Sequence, residues 1–474
     1  MTNNDATNDS SNDWAERSRQ AVWHPCTQMK VHERFPPRAI VAADGPWLID
    51  DQGHRILDAV SSWWVNLFGH NFGPIRAAIA DQLGKLDHIM LAGLTHPPVV
   101  ELSERLSALT GLGHAFYASD GASATEIALK MSAHSWRNRG RAQKNQFIGL
   151  QGGYHGETAG ALSVTDIPLF REAYAPLLRL SATLPSPDPR QAAVGVSADD
   201  HLKAAIDALA AYLAEHHERT AALILEPLVQ GAAGMAMHAP AYLLAVRRLC
   251  DQYEVHWIAD EIAVGFGRTG TMFAHQQAVL PDGDGSSHVR PDFICLSKGL
   301  TGGVLPLSAV LTTDEVYAAF YDDRTAHGFL HSHSYTGNPL ACRAALAVLD
   351  AFAARDAQGL DVLARNRVAA ERFTQLSAPL RAHPRVKASR HTGMIWAWDV
   401  DTAEPTFAAR YHRAALDAGL LLRPIGSTLY AMPPYVLTEA DQRFLAEGAL
   451  RVLDQVLAEI DALPAATSPV VPVP

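Results

Sequence analysis

The chain has 474 residues, enough for two domains or one large domain with a satellite. It is 48% hydrophobic and 19% charged, as a globular enzyme is, and a formal charge of −11 without a basic cluster argues against a nucleic-acid or anionic-membrane surface. No apolar run approaches the roughly 20 residues of a membrane span. The polar start MTNNDATNDSSND is not a signal peptide, and Cys26, Cys250, Cys295 and Cys342, without CxxC spacing, suit reduced thiols in a cytoplasmic protein.

Residues 1–13 read as disordered, Trp14–Val22 as a short helix, and Trp23-His24-Pro25-Cys26-Thr27-Gln28-Met29 as extended because of its proline. Ala39–Ala59 alternates, which predicts a hairpin or meander turning at Asp44-Gly45 and Gln52-Gly53. In Ser61-Ser62-Trp63-Trp64, adjacent tryptophans on a strand would point opposite ways, one into the core and one free to line a cleft. From Ile75 the apolar period becomes helical through IRAAIADQLGKL and VVELSERLSAL.

Phe116–Ala118 reads as a strand running into Ser119–Glu126 and a helix to Trp136. Ser123 and Glu126 have capping-box spacing, and small residues at a helix start expose N–H groups that favour a phosphate. The strand Phe147–Leu150 ends in Gly152-Gly153-Tyr154-His155-Gly156, where an aromatic between glycines suits a lid over a flat ring. A surface loop is expected over 181–200, then a helix His201–His216, a strand Ala221–Leu225 ending in Glu226-Pro227, and a helix Pro240–Tyr253. This alternation predicts a mostly parallel sheet.

The stretch Val255–Gly303 carries the chemistry. Two runs short enough for buried strands, Val255–Ala259 and Phe293–Leu296, are followed by Asp260-Glu261 and by Lys298. Ligands of an open α/β sheet bind outside the carboxyl ends of its strands. An Asp and a Lys at neighbouring ends fit pyridoxal phosphate (PLP), the amine forming a Schiff base and the carboxylate keeping the ring nitrogen protonated. Taken alone, the pair fits a structural ion pair as well. Gly299, Gly302 and Gly303 leave room beside Lys298. Gly265-x-Gly267-x-x-Gly270 matches a dinucleotide fingerprint, but it follows an acidic pair, no good helix opens after it, and the next acids, Asp282 and Asp284, lie in a loop.

Leu307–Leu311 reads as a further strand, followed by His331-Ser332-His333-Ser334-Tyr335 and helices from Pro339 to about Ala354 and over Leu360–Leu376. No cysteine or carboxylate near the two histidines completes a metal ligand set. Arg423 follows the run GLLL and so stands at a strand end, placed for a salt bridge or for a substrate carboxylate.

IADEIAVGFGRTG followed by LSKGLTGG resembles the class III PLP-dependent aminotransferases of fold type I, and the similarity runs from about Trp23 to Leu457. WHPCTQM, SSWW and HSHSYTGNP resemble the members of that family that aminate 8-amino-7-oxononanoate in biotin synthesis. The fold implied is α/β, a large domain with a mostly parallel sheet over 75–345 and a smaller α+β domain from both chain ends, 14–74 and 346–463, with a disordered tail at 464–474.

The resemblance also implies roles. Lys298 would carry PLP and shuttle the proton in a ping-pong transamination, and Asp260 would pair with the pyridine nitrogen. Gly121 and Ala122 would bind the phosphate through N–H groups, with His333 and Ser334. Tyr154 would cover the cofactor and shape the substrate pocket, which Trp63, Ser332, Cys26 and Arg268 would line, and Arg423 would take the substrate carboxylate. Residues 332–334 would come from the partner subunit of a homodimer with shared sites. The donor implied is S-adenosylmethionine; lysine, or another ω-amino acid transamination, is the alternative. Two positions depart from the family: Cys26, where tyrosine is frequent, and Ala122, where serine is usual, which keeps the backbone contact and loses a side-chain hydrogen bond.

Overall fold

The computed structural model describes residues 13–280 and 287–463. Of the residues expected to be disordered, 1–12 and 464–474 lie outside the described residues, as do the loop acids Asp282 and Asp284, while Asp13 caps the helix Trp14–Ala21.

The central sheet has seven strands in the order His114–Ala118, Ser308–Thr312, Phe293–Leu296, His256–Asp260, Thr220–Leu225, Gln146–Leu150, Ala182–Leu184. Ser308–Thr312 is antiparallel to both neighbours, and the other pairings are parallel. Thr220–Leu225, His256–Asp260 and Phe293–Leu296 are buried at every residue. Their unbroken apolar runs follow from helices covering both faces. Ala222, Ile224 and Ile258 pack against Ala124, Ile127 and Ala128 of the helix Gly121–Asn138. The alternate residues Leu223, Leu225 and Trp257 pack with Leu209, Leu213, Leu243 and Val246 of the opposite layer. The period of two along each strand thus sorts its side chains between two layers.

Both chain ends build a second sheet. Ile40–Asp44, Trp47–Asp50 and Arg55–Asp58 form the expected meander, and Leu420–Leu421 adds in parallel beside Arg55–Asp58. Leu57 N–H donates to Gly419 O at 2.8 Å. A third sheet, Val386–Thr392, Ile395–Val400 and Thr428–Ala431, is antiparallel. No helix among the described residues is long and apolar enough to cross a membrane.

Two expectations change and one holds. The loop at 181–200 contains the edge strand Ala182–Leu184, too short for a periodic signal and held by its pairing with Ile148–Leu150. Gly265–Gly270 forms successive turns, and no α-helix opens at Gly270, as expected; only the short 3-10 helix Ala274–Gln277 follows. Ser61–Trp64 is not a strand. Ser61, Ser62, Trp63 and Trp64 have φ of 52°, 45°, 72° and 72°, a single left-handed helical turn without glycine. It closes helix-like bonds, Trp64 N to Val60 O at 2.8 Å and Val65 N to Ser61 O at 2.9 Å. Each such residue costs roughly 1–2 kcal/mol in this conformation. The division expected of the tryptophans survives, with Trp64 7% and Trp63 47% exposed.

Gly303 seals the far side of this turn. Its φ is +85°, and a Cβ there would stand 2.9 Å from Asn66 N and from Val65 C. Gly303→Ala is therefore expected to destabilise the protein by on the order of 2 kcal/mol, backbone strain and collision together. An unchanged urea midpoint would refute this account.

Candidate active site

The register Ile258↔Phe293, Ala259↔Ile294, Asp260↔Cys295 sets Lys298 three residues beyond the partner of Asp260, at the same edge of the sheet. Asp260 is 3% exposed. One carboxylate oxygen accepts from Ile262 N at 3.1 Å and the other lies 2.7 Å from His155 Nδ1, which must carry the proton because a carboxylate only accepts. His155 is itself buried, and its Nε2 has no partner among the described residues. Lys298 has φ 42°, left-handed for a residue with a side chain, and strain of this kind collects at functional sites. Its amine stands 5.4 Å from the centre of the Trp64 ring. Desolvation holds the amine below its ordinary pKa, while the charges of Asp260 and Glu226 pull it back up.

Glu226 ends the neighbouring strand. It is 5% exposed and accepts from Tyr154 N at 3.1 Å and Gly231 N at 2.9 Å. Burial, reinforced by the charge of Asp260, pushes its carboxyl up to about 7, although His155 and the two N–H donors oppose this. The sheet therefore carries two carboxyls, an imidazole and an amine at the ends of three adjacent strands and the loop after a fourth.

Tyr154, Cys26, Arg423 and Trp63 gather nearby. The Tyr154 hydroxyl donates to Glu157 Oε1 at 2.9 Å, its ring meets Phe170 edge-on at 5.6 Å, and burial raises its phenol pKa, as do the charges of Glu157 and Cys26. Arg423 lies 5.5 Å from the centre of the Trp63 ring and donates from Nη2 to Cys26 O at 3.3 Å. The Cys26 thiol is raised by burial and by Glu157, against the pull of Arg423.

The helix Gly121–Asn138 starts three residues before the expected capping box. Its N-cap is Asp120, whose carboxylate accepts from Ser123 N at 2.9 Å and Ser123 Oγ at 2.8 Å, while Glu126 takes Gly160 N instead. Asp caps as well as Ser, and the earlier start leaves the N–H groups of Gly121 and Ala122 ahead of the first helical bond, Ala124 N to Asp120 O. Gly156, at φ +117°, lies against Ala122; a Cβ on it would come within 2.5 Å of Ala122 Cβ. His333 Nε2 is 3.0 Å from Ser119 Oγ, beside this helix start, and Ser332 and Ser334 are exposed.

Arg268 departs from the expected substrate contact. It is 1% exposed, and its terminal nitrogens donate to Pro433 O at 2.7 Å and Asn66 O at 3.0 Å, with longer contacts to Met432 O and Trp64 O. Its guanidinium lies 5.0 Å from the Tyr435 ring centre. The side chain ties the segment after the tryptophans to the segment after Thr428–Ala431. Glu226 and His155 were absent from the expected site. Glu226 carried the signal that marked Asp260, an ionisable residue closing an apolar run; His155 stood next to Tyr154 between glycines.

The family model for aminotransferase class-III matches residues 28–453. The adenosylmethionine-8-amino-7-oxononanoate aminotransferase of Helicobacter pylori is 41% identical over 444 residues, covering 92% of this chain and 96% of that one. That of Geobacter sulfurreducens is 37% identical over 451 residues, covering 92% and 95%. Among solved structures, the adenosylmethionine-8-amino-7-oxononanoate aminotransferase from Methanocaldococcus jannaschii superposes with a TM-score of 0.84 at 32% identity, over 93% of this chain and 98% of that one. The omega transaminase from Pseudomonas jessenii in complex with PMP superposes with a TM-score of 0.87 at 25% identity, over 94% and 99%.

Glu226 makes stability depend on pH. An acid whose folded pKa is raised stabilises the fold below its unfolded pKa, and that contribution is lost as pH rises through the folded value, here about 7. The melting temperature of Glu226→Gln relative to the parent should therefore climb between about pH 5 and 7 and level off above. A difference that stays flat across that range in thermal melts would place Glu226 in the ordinary carboxylate range.

Proposed function

The chain belongs to the class III aminotransferases, and on that footing we propose that it transfers an amino group from S-adenosylmethionine to C7 of 8-amino-7-oxononanoate, giving 7,8-diaminononanoate for biotin synthesis. The observation that carries this reading is the meeting of a desolvated amine, Lys298, and a buried, imidazole-held carboxylate, Asp260, at the ends of adjacent parallel strands.

The residues present fit pyridoxal phosphate. Lys298 makes no hydrogen bond among the described residues and is free to hold the cofactor covalently. Asp260, held by His155 and the Ile262 amide, would pair with a protonated ring nitrogen, and the N–H groups of Gly121 and Ala122 would take the phosphate. The cofactor, when bound, supplies an electron sink for the carbon that loses its proton. Lys298 supplies the base. Held below its ordinary pKa, its amine is neutral in a larger fraction of molecules and can take the proton from the α-carbon and return it. His155 clamps the Asp260 carboxylate and would keep it oriented toward the ring nitrogen.

Arg423 offers a guanidinium to the substrate carboxylate, with the Trp63 ring against it. Tyr154 and Cys26, close enough to couple electrostatically, would border the substrate with a ring and a thiol. Ser332 and Ser334, exposed on this chain, would complete the active site of a second copy, the working unit then being a homodimer, while His333 stands against this chain's own Ser119. Arg268 is left out of the substrate set because its donors are committed to main-chain carbonyls.

Lys298→Ala is expected to abolish turnover and the visible absorbance of the bound cofactor; normal turnover in that variant would refute the assignment. Arg423→Ala should raise KM for the keto acid by about 10–100-fold, the weight of a charge-assisted hydrogen bond, and leave the donor half-reaction nearly unchanged. Equal loss in both half-reactions would remove Arg423 from the carboxylate site. Mixing the cofactor-loaded enzyme with S-adenosylmethionine or with lysine settles the donor, and conversion by lysine alone would overturn the proposal.

A further inference from the structure

The left-handed turn Ser61–Trp64 needs an agent that holds it, and the structure supplies one outside the residues assigned to substrate or cofactor. Asp58 closes the strand Arg55–Asp58 and is fully buried. Both its oxygens grip the second residue of the turn, Oδ1 accepting from Ser62 N at 2.8 Å and Oδ2 from Ser62 Oγ at 2.7 Å. His70 Nε2 steadies the same Oδ2 at 3.1 Å. Other restraints act at the turn's ends, Ser61 Oγ on Met432 O at 2.7 Å and Trp64 Nε1 on Tyr430 Oη at 3.1 Å. Among the described residues, Asp58 is the side chain that holds the backbone N–H of Ser62, directly before the two tryptophans.

What the turn displays is the point. Consecutive residues send one indole to each of the two cations of the site, Trp64 to the Lys298 amine at 5.4 Å and Trp63 to the Arg423 guanidinium at 5.5 Å. A right-handed or extended backbone would aim the rings elsewhere. We propose that Asp58 is a positioning residue that fixes the span between the Lys298 amine and the Arg423 guanidinium, and through it the chain length of the keto acid accepted. The proposal rests on the transamination reading above and adds to it what sets the length.

The test uses the cofactor-loaded enzyme with Asp58→Ala and Asp58→Asn, assayed with 8-amino-7-oxononanoate and with its homologue one methylene shorter. Asp58→Ala should raise KM for the natural keto acid about tenfold, leave kcat and the S-adenosylmethionine half-reaction within about threefold, and erase the preference between the two chain lengths. Asp58→Asn, which still offers an oxygen to Ser62 N, should recover most of the preference. In protein carrying 5-fluorotryptophan, the resonances of Trp63 and Trp64, assigned with Trp63→Phe and Trp64→Phe, should shift in Asp58→Ala and return toward the parent positions in Asp58→Asn.

If Asp58→Ala does not fold, Ser62→Ala removes one of the two bonds and should give the same pattern in weaker form. An unchanged chain-length preference in a folded variant, or equal loss in both half-reactions with unmoved fluorine resonances, overturns the proposal. A parent enzyme inert toward both substrates overturns the functional reading and the chain-length claim with it, while the fluorine resonances still decide whether Asp58 holds the turn.

Discussion

Water is kept from the ends of three fully buried strands, and the chemistry of the cleft follows from that exclusion. Asp260 and Glu226 close neighbouring strands that have no solvated face, so each carboxyl must be satisfied by protein groups. Asp260 is, by His155 and the Ile262 amide. Glu226 receives two amide donors and still sits in surroundings that favour its proton. The same dry surroundings lower the basicity of Lys298. The ionisable groups of the cleft are set apart here by burial more than by residue type, and it is the largely parallel sheet, covered on both faces, that provides the burial.

Around this fixed floor the walls come from distant parts of the chain. Trp63 and Trp64 follow the early meander, Arg423 follows the late strand Leu420–Leu421, and the two segments are joined by the pairing of Leu420 with Leu57 and by Met432 N on Ala59 O at 2.9 Å. Arg268, from the large sheet's loop, reaches both. A buried guanidinium bonded only to carbonyls is expensive unless its donors are used; four carbonyl contacts use the terminal nitrogens, while Nε has no partner among the described residues. The substrate side of the cleft is thus a composite, fastened by hydrogen bonds between segments that no local sequence signal connects.

This explains how far the sequence could be read. The buried strands were legible because an unbroken apolar run of strand length closed by a charge has few other meanings, and Asp260 and Lys298 came with them. The helices at Pro97–Thr110 and Ala198–His216 were legible from their period. The left-handed turn was not, since four residues with side chains in that conformation run against local preference and depend on Asp58 and Gly303, which lie outside the turn. The Arg268 motif was seen, but its burial depends on where the Met432-Pro433 segment returns. Ala182–Leu184 was missed because three residues carry no period, only a neighbour.

The parallel pairing of Leu420–Leu421 with Arg55–Asp58 has a consequence for synthesis on the ribosome. Tyr435 N also bonds Leu67 O at 2.7 Å, so the segment bearing the tryptophans waits for residues made long after it. Until then the nascent chain exposes one unpaired edge of the early meander, Arg55–Asp58, and a turn whose left-handed backbone nothing yet enforces. This side of the cleft is therefore completed only when Leu420–Leu421 and Thr428–Ala431 have been made, and a chain cut short before them would keep the central sheet without it.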